Sequence, residues 1–236
     1  KAQQIAIDLN LKTKKPIELN KSPDSNNLVY FIVFEFKKNK WWAFTQMGKN
    51  KKLMSNFDEL TFYKFLGTGG KNGFSLIPDF NTYALVTCWR NKEQAELFIN
   101  ESRVMQLYKE KTKSIRLIKL DPFYSHGSWD GVNPFAIKNK KEIANEKRLA
   151  IITRAKINWS KLISVWIHVP QSSKAIKQAS GVYYYKGIGE LPFIQQATIS
   201  LWKSVDDVLQ FAYKSKIHSK IVKKTSHDVA DCFQIE

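Results

Sequence analysis

A histidine on the apolar face of a predicted helix is the residue of this sequence best suited to chemistry. The stretch VLQFAYKSKIHSKIVKK, residues 208–224, has the pattern of an amphipathic helix. At about 100° per residue, His218 lies about 20° to one side of Phe211 and Val222 about 20° to the other, inside the apolar stripe. A buried imidazole suits metal coordination, but no cysteines or carboxylates cluster near it to build a zinc site. Haem needs one protein ligand and an apolar slot, so the pattern favours haem iron bound by His218, beside Phe211 and Val222.

The chain repeats itself, and the repeat predicts the elements that position this histidine. The segment FLGTG (65–69) recurs as YKGIG (185–189) at an offset of 120 residues, and LVYFIVFEF (28–36) has a counterpart in LAIITRAKI (149–157). Each half reads strand, helix, glycine-containing strand, strand, helix, strand, which is the βαββαβ order of a ferredoxin-like unit. We therefore predict an α+β fold of two tandem ferredoxin-like repeats, packed as an α+β barrel whose interior can hold a ligand.

The repeat also predicts how the chain is divided. Residues 1–27 form a lysine-rich N-terminal arm, 28–120 the first half, 121–148 an aromatic connecting loop and 149–236 the second half, all within one structural domain. The connecting loop is rich in Gly, Pro, Asp and Ser and is therefore expected to be irregular. Because it still carries four aromatic residues in DPFYSHGSWDGVNPF, we expect it to pack over another part of the protein.

The first half serves as an internal control for His218. Met105 stands sixteen residues after Trp89, and His218 stands sixteen residues after Trp202. One half thus has an apolar residue where the other has an imidazole, so the fold itself does not require histidine there. A core histidine with a satisfied hydrogen bond remains the alternative.

Composition narrows the classes of function. The net charge of +17 suits an anionic partner, but only five of the 38 basic residues are arginine, and the lysines are scattered in small clusters. Nucleic-acid recognition favours the bidentate fork of arginine, so we expect no nucleic-acid partner and interpret the lysines as a solubilising or membrane-attracted surface.

Cysteines and apolar runs bear on the compartment. Cys88 and Cys232 have no CxxC or Cys/His neighbours, which favours two buried thiols in a reducing compartment. The apolar runs are far shorter than the roughly 20 residues of a membrane span, and no signal-peptide pattern opens the sequence. We therefore expect a cytoplasmic protein that associates at most peripherally with a membrane.

A set of motifs, in order from about residue 28 to the end, resembles the spheroidene monooxygenase family. They are FTQMG (44–48), TFYKFLGTGGKNGF (61–74), GSWDGVNPF (127–135), LAIITRAKI (149–157), VWIHVPQSS (165–173), YYKGIGELPFIQQATISLW (184–202) and FAYKSKIHSKIVKKT (211–225). The resemblance implies a dimeric α+β barrel related to chlorite dismutases and aldoxime dehydratases. It also implies a b-type haem and oxygen insertion into an acyclic carotenoid.

The resemblance further implies roles for particular residues. FAYKSKIH resembles the segment that supplies the proximal ligand, which makes His218 the axial ligand, with His168 of VWIHVP as fallback. Arg154 is the candidate for a distal catalytic group, because a charge in an apolar strand is costly without a partner or a task. The structural alternatives are that its charged end reaches out to solvent or that it pairs with Glu190. The remaining candidates are Trp166 on the cofactor side, and Trp129, Tyr184 and Gln196 along an apolar substrate channel.

Several functions remain open on this fold. The favoured one is a haem-dependent monooxygenase that acts on a carotenoid-like apolar substrate and takes electrons from an external donor such as a ferredoxin, since no nicotinamide or flavin motif is visible. The alternatives are a non-catalytic haem-binding protein, a haem-dependent dehydratase, and a cofactor-free barrel in which His218 acts as acid or base. A homo-oligomer is compatible with each.

Overall fold

The architecture is an eight-stranded barrel with helices on its outside. The computed structural model describes residues 28–70, 77–126, 128–137, 148–156, 173–190, 195–214 and 229–235. Its elements are β1 (Leu28–Glu35), α1 (Lys40–Lys49), α2 (Lys51–Met54), β2 (Leu60–Gly69), β3 (Pro78–Trp89), α3 (Lys92–Glu101), α4 (Arg103–Lys111), β4 (Ser114–Ser125), β5 (Leu149–Lys156), α5 (173–177), β6 (Val182–Gly189), β7 (Gln195–Trp202), α6 (Val205–Lys214) and β8 (Val229–Ile235).

The two halves have the same sheet topology. In the first, the antiparallel order is β4-β1-β3-β2, and in the second it is β8-β5-β7-β6. The registers also agree, because Leu28 pairs with Trp89 and Leu149 pairs with Trp202. The tandem ferredoxin-like barrel predicted from the sequence is therefore confirmed.

The structure corrects the alignment of the glycine-containing strands. Lys64 of β2 lies opposite Val86, and Lys186 of β6 lies opposite Ile199, so these lysines occupy the same place at a separation of 122 residues. The motif match of FLGTG with YKGIG assumed 120. Both strands carry a register shift near their start. Offsets of 120 and 122 residues differ by two, so both place the same side chains on the same face of the sheet, and the sequence pattern does not distinguish them.

Two junctions close the barrel between the halves. The first joins β2 to β6 through the pairs Gly67–Gly189 and Thr68–Ile188. The second joins β4 to β8 from Leu120–Ile235 onward, and it extends β4 to Ser125. The first five residues of the predicted connecting loop are thus strand, with Pro122 beside a register shift, where a missing backbone donor is tolerated.

Each sheet buries both of its faces, which explains why β1 is apolar almost without interruption. The inner faces of the two sheets form one core that includes Phe31 and Ile152, and the connecting loop adds Trp129 and Phe135 to it. The expectation that this loop packs over the protein is confirmed. The outer faces carry separate cores under the helices of each half.

Within the described residues, no helix is long and apolar enough to cross a membrane.

Candidate functional site

A cluster of charged side chains on the inner face of the barrel holds the connecting loop. Lys64 alternates with the inward residues Phe62 and Leu66, so its ammonium group also points into the barrel. It donates to Oε2 of Glu190 at 2.6 Å and to the carboxylate of Asp130. Although burial by itself lowers the pKa of Lys64, its hydrogen bonds to the two carboxylates outweigh that effect and raise the pKa.

The loop tryptophan completes this cluster. Trp129 is buried and donates from Nε1 to Oε1 of Glu190 at 2.7 Å. Both oxygens of Glu190 are therefore engaged, one by Lys64 and one by Trp129. Next to Trp129, Asp130 has a φ of 55°, a left-handed conformation that Asp adopts more readily than most residues. The cluster fixes the conformation of the loop where it covers the barrel.

Arg154, predicted as a distal catalytic group, belongs to the same cluster. Its Nη1 donates to the carbonyl of Ser128 at 2.8 Å, its Nη2 lies 3.6 Å from Oδ1 of Asp130, and its guanidinium carbon lies 5.2 Å from the centre of the Trp129 ring. The alternative weighed for Arg154 named Glu190 as its partner, whereas the carboxylate found near it is that of Asp130. These contacts suit a residue that anchors the loop.

A second inward lysine marks the same position in the other half. Lys186 alternates on β6 with Tyr184 and Ile188, and its Nζ lies 2.9 Å from Oδ2 of Asp79. Burial raises the pKa of Asp79, but the hydrogen bonds from Lys186 and from the backbone of Asn81 outweigh it and leave the pKa lowered. The sequence analysis did not single out Lys64 or Lys186, although each interrupts an inward apolar alternation, which was the available signal.

Tyr184, predicted along a substrate channel, lies on the inner face with Trp129. The guanidinium carbon of Arg116 lies 5.4 Å from the centre of its ring. Burial raises the pKa of Tyr184 to about 12, and the nearby positive charge of Arg116 only partly opposes this. The structure thus brings Arg154, Trp129 and Tyr184 to one face of the sheet.

Phe211 lies on the opposite face. It lies on α6 and packs on Trp202 of β7, at 5.2 Å between ring centres and an interplanar angle of 41°. In the first half, Phe98 packs on Trp89 at 5.2 Å and 43°. Trp89 and Phe98 stand nine residues apart, as do Trp202 and Phe211, and this spacing encodes one helix-to-sheet contact that both halves use. Because Phe98 makes the same contact, the contact itself does not mark Phe211 as a cofactor residue.

The outer faces of the two sheets differ strongly in side-chain size. The strand registers show which outward residue of the second sheet occupies the position equivalent to each outward residue of the first. Two matched positions keep large side chains, Tyr63 to Tyr185 and Trp89 to Trp202. Five others have a smaller residue in the second half: Tyr30 to Ile151, Ile32 to Thr153, Phe34 to Ala155, Phe65 to Gly187 and Leu85 to Thr198. The second sheet carries roughly 20 fewer non-hydrogen side-chain atoms at these positions, so it fills less of the space above its outer face than the first sheet does.

The first half shows what surrounds the position that corresponds to His218. Elements β3 and β7, and α3 and α6, are each separated by 113 residues, and this offset matches Met105 to His218. Met105 is buried in α4 and lines an open cavity of about 280 Å³ together with Ile32 and Lys109. The fold thus leaves space between sheet and helix beside this position even where the sheet carries large side chains.

The first half also differs from the unbroken helix predicted for 208–224. Its counterpart is divided at Ser102, whose extended backbone ends α3 and whose hydroxyl caps α4 by accepting from the N–H of Met105 at 3.1 Å. The helix of the first half is therefore not continuous, so angles of about 100° per residue counted across Ser102 do not apply to it. Met105 is nevertheless buried. The sequence repeats the pattern, with SRVM at 102–105 and SKIH at 215–218.

Other predicted residues lie outside what the structure describes. These are Trp166, His168, His218 and Val222, while Gln196 is described only through its backbone, opposite Ala155. Across the described ranges, no group of three or more His, Cys, Asp or Glu side chains is arranged to hold a metal ion.

Comparison with known proteins supports the predicted resemblance. No protein-family model matches the chain. It is 30% identical over 185 residues to spheroidene monooxygenase of Cereibacter sphaeroides. The aligned region covers 78% of this chain and 56% of that protein. Against spheroidene monooxygenase of Rhodobacter capsulatus it is 26% identical over 182 residues, covering 77% of this chain and 76% of that protein. The resemblance to this family is thereby confirmed, although the chain spans only a little over half the length of the first relative.

The fold also resembles a solved structure. The crystal structure of an aldoxime dehydratase aligns with a TM-score of 0.57 over 96% of this chain and 89% of that chain, at 8% identity. At that identity the likeness concerns the fold alone.

Proposed function

We propose, taking the similarity to spheroidene monooxygenases as premise, that this chain is a haem-dependent monooxygenase that inserts oxygen into an apolar, carotenoid-like substrate. Haem b would be held between the outer face of the second sheet and the helices that cover it, and His218 would bind its iron. The observation that carries the placement is the loss of large side chains from that face, above all at Gly187, where the first half has Phe65.

The cleared face fits a flat, apolar group. Gly187 is buried and Thr153 and Thr198 are partly buried, and the rim of the cleared face is apolar, with Ile151 and Tyr185 in the outer core of the second half. Haem binding draws most of its free energy from such apolar contact, and the protein contributes one strong ligand. A smaller metal ion would need several protein ligands instead.

His218 is the proposed ligand because of its place in the repeat. Its counterpart Met105 is buried beside the cavity of the first half, and the cap residue Ser102 recurs as Ser215. The exchange of Met105 for an imidazole coincides with the exchange of large for small side chains on the facing sheet. These two sequence differences between the halves support one bound group in the second half.

This placement changes the role proposed for Arg154. The residue faces the barrel interior and contacts the connecting loop, whereas haem bound on the outer face would lie on the other side of β5. The residues that β5 and β7 present to the outer face include Thr153 and Thr198, whose hydroxyls can donate hydrogen bonds, and Ser200, whose hydroxyl accepts from Nε1 of Trp202. These hydroxyls would supply the polar groups of the haem site, while Arg154 holds the loop.

The chain's own contribution to the reaction is binding and exclusion of water. Haem supplies the one-electron and oxygen chemistry when it is bound. The apolar outer face excludes water from the site, and Thr153 and Thr198 orient a polar group of a ligand by hydrogen bonding. Insertion of one oxygen atom into a C–H bond consumes O₂, two electrons and two protons and releases water, so an external electron donor such as a ferredoxin is part of the proposal.

An absorption titration with hemin tests the cofactor site. Wild-type protein should show a saturating Soret band at about one equivalent, and His218→Ala should lose or shift it. Met105→Ala is the matched control, because it changes the symmetric position in the first half and should bind as wild type does. Gly187→Phe restores the side chain of the first half and should prevent binding while the protein stays folded. If Gly187→Phe binds hemin normally, the outer face is not the site.

A second experiment tests the reaction. The hemin-loaded protein, a reducing system and O₂ are incubated with an acyclic carotenoid, and products are analysed by mass spectrometry. Gain of one oxygen atom from ¹⁸O₂ supports the monooxygenase. Hemin binding without turnover supports the non-catalytic haem protein, and conversion of an aldoxime to a nitrile without O₂ supports a dehydratase.

A further inference from the structure

An exposed aromatic surface borders a group of lysines on the first half. Trp41 is 77% exposed, Ile77 74%, Phe80 50% and Phe44 46%. Monomeric soluble proteins rarely leave several large apolar side chains exposed side by side, and such patches mark interaction sites. We call these four residues, together with Lys37, Lys38 and Lys40, the aromatic–lysine surface.

The aromatic residues of this surface are contiguous. Trp41 stacks on Phe44 at 5.7 Å between ring centres, and Phe44 meets Phe80 edge-on at 6.4 Å. Trp41 and Phe44 stand three residues apart on α1 and share a helix face, while Ala43 on another face of α1 is buried in the outer core. The helix is thus apolar on two faces, and packing against the sheet uses only one.

The charged residues of α1 and of the turn before it are all lysines. Lys37, Lys38 and Lys40 are exposed, as is Lys49 at the other end of α1, and the sequence from residue 37 to 54 contains no Asp or Glu. The nearest carboxylate in sequence to Phe80 is that of Asp79, which is turned to Lys186. A partner must therefore offer both an apolar layer and negative charge.

We propose that the aromatic–lysine surface docks the protein on an anionic lipid bilayer. Tryptophan and phenylalanine rings bind at the boundary of headgroups and acyl chains, and exposed lysines bind acidic headgroups. A second copy of this chain fits less well, because it would bring the same lysines together and the chain carries a net charge of +17. The inference rests on the surface alone and does not depend on the proposed reaction.

Vesicle sedimentation of the full chain tests the proposal. Vesicles of phosphatidylcholine with phosphatidylglycerol should bind the protein and release it at high salt, whereas pure phosphatidylcholine should bind far less. Each lysine near a charged membrane contributes roughly fivefold in partitioning, so the triple variant Lys37→Gln, Lys38→Gln, Lys40→Gln should lose about 100-fold. The double variant Trp41→Ala, Phe44→Ala should lose at least tenfold, because it removes the inserted rings.

Matched variants separate this surface from general charge. The triple variant Lys92→Gln, Lys177→Gln, Lys203→Gln removes the same charge from exposed positions elsewhere, and Leu97→Ala removes an exposed apolar side chain from α3. Both should keep most of the binding, and circular dichroism should show all variants folded. Equal losses in the two lysine triples would overturn the proposal. So would unchanged vesicle binding in the aromatic variant combined with a lower oligomeric state, which would assign the surface to self-association.

Discussion

Removing the ammonium group of Lys64 should destabilise the protein through Glu190. In Lys64→Met the aliphatic stem remains, but one oxygen of Glu190 loses its 2.6 Å partner while the other keeps the indole of Trp129. Asp130 also loses its contact with Lys64 but keeps Arg154 nearby. The variant therefore leaves one carboxylate inside the barrel with half of its hydrogen bonds.

The magnitude follows from the exposure of each group. Lys64 and Glu190 are 20% and 21% exposed, so their charged hydrogen bond falls in the range of about 1.5–3 kcal/mol. Asp130 is 46% exposed, and its pair is worth about 0–1 kcal/mol at most. We expect Lys64→Met to lower the free energy of unfolding by about 2–3 kcal/mol. Because the pKa of Lys64 is raised in the folded state, its contribution is lost only at alkaline pH, and the deficit should be constant from about pH 6 to 9.

A double-mutant cycle measured by urea unfolding isolates this interaction. Lys64→Met combined with Glu190→Gln should cost less than the sum of the single changes, with a coupling of about 1–2 kcal/mol. Lys64→Met combined with Asp79→Asn is the control and should be additive, because Asp79 pairs with Lys186. If Lys64→Met unfolds within about 0.5 kcal/mol of wild type, or if the coupling to Glu190 is absent, the inner cluster does not hold the loop as described.

Four further substitutions test the packing and the inner face. Phe98→Ala should lower the free energy of unfolding by about 3–5 kcal/mol, and Phe211→Ala by somewhat less, since Phe98 is fully buried and Phe211 only partly. If either variant is as stable as wild type in urea, the shared contact is contradicted. Since the pKa of Asp79 is lowered by Lys186 and its other donors, the folded protein should lose stability as pH falls through that pKa, and Asp79→Asn should flatten the acid limb of the stability curve. Tyr184 should ionise near pH 12, and phenolate absorbance should show one fewer high-titrating tyrosine in Tyr184→Phe.

The strands and the fold could be read from the sequence because they depend on local pattern. The apolar runs that begin at Leu28 and Leu149 and the Trp–Phe spacing of nine residues each recur in both halves and correspond to β1, β5 and the helix contacts. Motif matching gave the wrong offset between β2 and β6, because both possible offsets preserve the same alternation of inward and outward side chains. It also missed that β4 extends to Ser125, because that pairing is made by β8 at the far end of the chain.

The inner cluster could not be predicted for a related reason. A strand pattern shows that Lys64 and Arg154 share a face with apolar neighbours, but it does not show which groups meet them. Lys64 and Glu190 are 126 residues apart, and they meet only after the two halves join at β2 and β6. The partner of Arg154 is set by the connecting loop, whose turn at Asp130 has no counterpart in the repeat.

The two junctions of the barrel record how such a chain arises. Gly67 pairs with Gly189, its own equivalent in the other half, and Asp121 pairs with its equivalent Gln234, so a pseudo-twofold axis passes through both junctions. A single ancestral unit, with its edge strands unpaired, would close the same barrel by pairing with an identical copy. Duplication and fusion of its gene would convert that homodimer into one chain. In a homodimer every substitution appears twice, whereas in a fused chain one sheet can carry Tyr30, Phe34 and Phe65 for packing while the other carries smaller residues at the matched positions.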